Sequence, residues 1–143
     1  MKLQLITVLA LMFVAAEFPK EDAGKKDLER MQGDWNAVEM VRDGVKLSDD
    51  EVEIIFRTVK GDQYAVSLFD KVIGKGTFKL DATKKPKAID ALPAGGKTML
   101  GIYEFDGGRL KTCFAPPGKE RPTEFCSKEN SGHTLTVWER EKK

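Results

Sequence analysis

This chain is short of the residues that most enzyme chemistry uses. Across 143 residues it has one histidine, two cysteines, two tyrosines and two tryptophans. A hydroxyl or thiol nucleophile would have to share the single base His133, which lies in the turn-like stretch Asn130-Ser131-Gly132-His133. No Gly-x-Ser-x-Gly elbow accompanies it. His133 therefore reads as a loop histidine. Two cysteines and one histidine lack the ligand spacing of a zinc site. Asp49-Asp50-Glu51 lacks the alternating acids and the glycine of a calcium loop, and suits the start of a short solvated helix instead. No carboxylate pair stands out at glycosidase spacing. The expectation is a non-enzymatic chain without cofactor or metal.

Net charge is also scarce. The chain carries 24 basic and 23 acidic side chains. Lys2 is the only charged residue among the first sixteen, so their removal leaves 23 against 23. A neutral domain lacks the basic excess that general nucleic-acid binding needs. Long hydrophobic runs are confined to one place. After Lys2, Leu3 to Val14 is interrupted only by Gln4 and Thr7, and Val14-Ala15-Ala16 puts small residues before Glu17. That is the three-part pattern of a signal peptide over 1–16, too short to span a bilayer comfortably. Export to a periplasmic, cell-envelope or extracellular location is expected, with no stable membrane span after cleavage.

The remainder suits one domain with a single core. Residues 17–26, charged and holding Pro19 and Gly24, read as a flexible leader to a domain over 27–143. Lys25 to Gln32 can form a short helix with Leu28 and Met31 on one face, stopped by Gly33. Short β-like runs follow at 34–42, 52–60, 63–70, 76–81, 88–92, 98–105, 109–115, 123–127 and 134–141. Gly61-Asp62 and Asp106-Gly107-Gly108 are hairpin turns, and Ser48 is placed to cap a brief helical turn. Tyr64, Val66 and Leu68 share one strand face, as do Phe78 and Leu80. No long helical pattern follows Gly33, which excludes parallel βαβ units. The fold class expected is mostly β: an antiparallel up-and-down barrel of eight or nine strands with a short N-terminal helix. A two-sheet sandwich has the same strand count.

Gly33-Asp34-Trp35 after a short helix resembles the Gly-x-Trp signature that opens the first strand of lipocalins. In that superfamily an arginine near the chain end packs over the indole, and Arg140 is the matching residue. Met31 to Trp35, Lys79-Leu80-Asp81, Lys84 to Asp90, Leu100 to Glu104 and Arg121 to Phe125 occur in order. Together they resemble an uncharacterised planctomycete family of exported lipocalin-like domains, over roughly residues 27–141. The resemblance implies the barrel, the export and a structural Trp35–Arg140 contact. It implies no activity.

Three further groups of residues are candidates. A hairpin of 110–115 with 123–128 would set Cys113 opposite Cys126, within reach of a disulfide in an oxidising compartment; two separate buried thiols are the alternative. Lys84, Lys85 and Lys87 form the one dense basic patch, either an anion-binding rim or a solvated loop. Phe56, Tyr64, Phe78 and Tyr103 either line an apolar ligand cavity or fill the core, with at most a shallow pocket expected. The functional expectation is an exported module binding a small apolar ligand through one barrel end. An envelope structural or protein-interaction domain acting through its loops is the alternative.

Overall fold

The computed structural model describes residues 20–141. The expected signal peptide lies outside them. The described chain begins with helix α1 (Lys20–Met31), followed by β1 (Gly33–Arg42), β2 (Val45–Lys46), the single-turn helix α2 (Asp49–Val52), β3 (Ile55–Lys60), β4 (Gln63–Leu68) and β5 (Lys71–Asp81). Then come β6 (Lys87–Pro93), β7 (Met99–Asp106), β8 (Arg109–Phe114) and β9 (Thr134–Arg140). Helix α1 starts at Lys20, so residues 20–26 of the expected leader are helical.

Apart from the two-residue β2, each strand pairs antiparallel with its neighbours in the chain, and β1 pairs with β9. Eight strands thus close into an up-and-down barrel, which leaves no long free edge. The seam runs from Trp35 opposite Arg140 to Arg42 opposite Thr134. Alternation decides what lies inside. Ile55, Arg57 and Val59 of β3 are buried, whereas Phe56 between them is only half-buried. In β1 the buried set Trp35 and Ala37 changes phase to Met40 across a bulge between Ala37 and Glu39. The extra residue turns Met40 back to the interior.

Helix α1 plugs one end. Its buried Met31 joins the core, and its Asp27 is only 4% exposed. The Tyr103 hydroxyl donates to Asp27 Oδ2 at 2.7 Å, and Lys87 Nζ lies 2.8 Å from the same oxygen. Burial, then the Asp27 hydrogen bond, push the Tyr103 phenol well above its usual range. Gln32 clasps the β3–β4 turn, accepting from Gly61 N at 2.6 Å and donating to Gly61 O at 2.9 Å. Trp35 Nε1 donates to Met31 O at 2.9 Å. Gly33 has a φ of 109°, and a Cβ there would sit 3.1 Å from Arg140 Nη1. Glycine before the tryptophan therefore satisfies both the backbone angle and the passage of the arginine. Ser48 caps α2 in a reciprocal box with Glu51, as the sequence indicates.

The segment expected as a strand at 123–127 is part of a long connection from β8 to β9. It cannot join the sheet there, because β8 is already paired with β7 on one side and β9 on the other. Arg121 fastens this connection to the wall: Nη1 lies 2.7 Å from Asp90 Oδ1 and donates to Gly101 O at 2.8 Å and Ile89 O at 3.3 Å. Ser127 Oγ donates to His133 O at 2.7 Å and accepts from Gly44 N at 3.1 Å.

Candidate ligand-binding site

At the end of the barrel opposite α1, a cavity of about 280 Å³ opens between residues of every wall strand except β5. Met40, Val66, Met99, Phe114 and Trp138 supply its apolar lining, and Ala115, Pro116 and Gly132 of the β8–β9 connection complete it. Its polar side chains are Arg42, Arg57, Tyr64, Thr112, Thr134 and Thr136, so among the described residues no carboxylate lines it. The open end of the barrel thus holds a pocket lined by inward-facing side chains.

Arg57 is the central polar group. It faces inward because it occupies the middle of the Ile55–Arg57–Val59 alternation, with Trp35 across one ladder and Val66 across the other. Only 5% of the residue is exposed. Its guanidinium carbon lies 5.6 Å from the Tyr64 ring centroid and 5.8 Å from that of Phe78. These are cation–π contacts. Its Nε is buried without a hydrogen-bond partner, and among the described residues no acid forms an ion pair with it. Burial pushes its pKa down to about 10, which leaves the cation charged at neutral pH. Burial raises the Tyr64 phenol, opposed by the nearby Arg57 charge. Thr112 Oγ1 accepts from Trp138 Nε1 at 3.1 Å, fixing that indole at the cavity wall.

The four aromatic residues expected to line a cavity are dispersed. Tyr64 does line it. Phe78 is 2% exposed and belongs to the core, touching the site only through Arg57. Tyr103 is committed to Asp27 at the plugged end. Phe56 lines a groove on the outer face with Asn36, Asp49, Glu53 and Glu139, because its neighbours Ile55 and Arg57 take the inward positions. The expected disulfide is absent: Cys113 and Cys126 are free, and the Cys113 thiol donates to the Cys126 carbonyl at 3.4 Å. The hairpin that would have opposed them does not form, and Cys113 faces Leu135 and Ile102 instead.

The lysine patch lies at the plugged end, where Lys84, Lys85 and Lys87 border a groove of about 360 Å³ with Arg30 and Phe105. Lys87 is engaged with Asp27, so the three lysines do not act as one free patch. Arg30 packs 4.1 Å over the Phe105 ring. His133 sits half-buried in the β8–β9 connection. Among the described residues no group of acids, histidines and cysteines is arranged to hold a metal. No described helix is long and apolar enough to cross a membrane.

Arg57, Arg42, Met99, Thr112, Thr136 and Trp138 escaped the sequence reading. For Arg57 a signal existed: one charge at the central inward position of an otherwise apolar β alternation. The others come from four separate strands, and only closure gathers them.

The fold and cavity define a closed eight-stranded antiparallel barrel, plugged at one end and hollow at the other. The chain matches no protein-family model, no curated protein and no solved structure.

Proposed function

We propose that this chain is an exported, non-enzymatic, lipocalin-like binding module that takes up a small apolar ligand in the hollow end of its barrel. The observation carrying this reading is the cavity of about 280 Å³ among Met40, Val66, Met99, Phe114 and Trp138. Pockets for small molecules are mostly apolar with a few placed polar groups, and this lining has that character. The signal-peptide pattern of residues 1–16 supports export. Helix α1 closes the opposite end, so a ligand approaches past the β4–β5 hairpin and the β8–β9 connection.

The two tryptophans supply a direct test, because Trp138 borders the cavity and Trp35 lies under Arg140 at the plugged end. Titration with the small neutral dye 1-aminonaphthalene should shift dye emission to the blue and quench Trp138. Met99→Trp, which fills the mouth, should abolish both effects. A dye signal indifferent to Met99→Trp, or no signal at saturation, refutes the reading.

A second reading, an envelope interaction module acting through its loops, draws on the β4–β5 hairpin. Phe69, Val72 and Ile73 there are more than half exposed, and clustered exposed apolar residues mark contact sites. Phe69→Ser with Ile73→Ser should then abolish specific crosslinks to envelope proteins while leaving dye binding intact.

A further inference from the structure

Arg57 points to the chemistry of the ligand. We propose that the cavity takes a small amphipathic oxyanion, a carboxylate or phosphate monoester on a short apolar tail, with its head group held by Arg57; this rests on the ligand-binding reading above.

The first support is charge. Among the described residues the cavity lining contains two arginines and no acid. Arg57 is almost wholly buried, with Nε unpartnered and the Tyr64 and Phe78 rings beside its guanidinium. A buried cation without a counter-ion is normally eliminated or paired. Here no described residue supplies the partner, while open space lies beside the group. An incoming oxyanion completes the pair, and the planar fork of guanidinium donors fits two oxygens at once. The second support is the neighbourhood. Arg42, exposed at the open end of β1, makes among the described residues only a weak contact from Nη2 to Met40 Sδ at 3.5 Å, so its charge is available to draw anions inward. The Tyr64 phenol borders the same space and can donate to a second lone pair.

Size sets the tail. A volume of about 280 Å³ corresponds to roughly nine water volumes at about 30 Å³ each. That accommodates a ligand of about ten non-hydrogen atoms, such as an eight-carbon carboxylate, with the head at Arg57 and the chain against Val66, Met99, Phe114 and Trp138.

The experiment compares octanoate, octyl phosphate and octanol as competitors of 1-aminonaphthalene at neutral pH, using the whole protein and its Arg57→Met and Arg57→Lys variants. One or both anions should bind at least about tenfold tighter than octanol, the advantage expected of charge-assisted hydrogen bonds. The better of octanoate and octyl phosphate identifies the head group. Arg57→Met should lose the anion preference while keeping octanol and dye binding, and Arg57→Lys should restore part of it. Retained dye binding and circular dichroism show that the variant is folded. Equal affinity for octanol and both anions, or an anion preference that survives Arg57→Met, overturns the inference while leaving the apolar-ligand reading standing. Failure of the dye and all three competitors removes both.

Discussion

The Arg140 guanidinium lies over the Trp35 ring, 4.4 Å from its centroid, and the two residues are also register partners across the β1–β9 seam. The same guanidinium donates to Gln32 O at 2.6 Å and to Arg30 O, carbonyls at the C-terminal end of α1. One side chain thus joins the last strand, the first strand and the plug.

Replacing Arg140 by alanine should therefore loosen the seam and the plug together. Arg140 is largely exposed, so the cation–π part is at the weak end, and with the lost hydrogen bonds the cost should be about 1–3 kcal/mol. Urea titration should show a lower midpoint. Lysine at 140 should recover little, since it lacks the planar fork that serves ring and carbonyls at once.

Asp27→Ala should cost more than a surface charge. It strands the buried Tyr103 hydroxyl and removes the partner of Lys87, a loss of about 2–4 kcal/mol. Hydrogen exchange should show faster opening of α1 than of the strands. An unchanged denaturation midpoint would contradict the plug's role.

Arg57→Met should stabilise the protein while removing anion binding. Among the described residues no acid pairs with this cation and the Tyr64 and Phe78 rings are its charge-stabilising contacts, whereas a similarly sized apolar side chain avoids the desolvation cost. Exchanges of buried ionic groups for apolar ones gain about 1–4 kcal/mol. A raised melting temperature combined with lost anion preference would mark a residue kept for binding. A lowered one would make Arg57 a structural group.

Stability should fall on the alkaline side. Burial pushes the Cys113 thiol from 9.0 up to about 11. Below about pH 9 the thiol is protonated in folded and unfolded chains alike, and its contribution is intact. As pH rises from about 9 to 11, the unfolded chain releases the proton and the folded chain does not, so unfolding gains. Tyr64 and Tyr103, whose phenols are also raised, act in the same direction. Comparing wild type with Cys113→Val isolates the thiol: the difference in stability between them should narrow or reverse over that interval. A constant difference would show that Cys113 does not titrate.

The strand pattern was readable because burial on one face and solvent on the other impose a period of two. Tyr64, Val66 and Leu68 stood out for that reason, as did the Gly61 and Gly107 turns, where φ is positive, and the Ser48 cap. Residues 123–127 have β-like composition, yet both edges of β8 are occupied once the barrel closes, so the disulfide has no hairpin to form in. Composition marks Phe56 as apolar without saying which way its strand faces.

Alternation of apolar and polar residues, punctuated by glycine turns, determined a set of short antiparallel strands with a helix ahead of them. Local physics suffices for that, since side-chain direction follows backbone repeat. Only the tertiary structure decided that α1 plugs one end, that the other end stays hollow, and that no described acid reaches Arg57 there. Those outcomes depend on which distant strands meet, and a charge has a partner or lacks one only after every wall is in place.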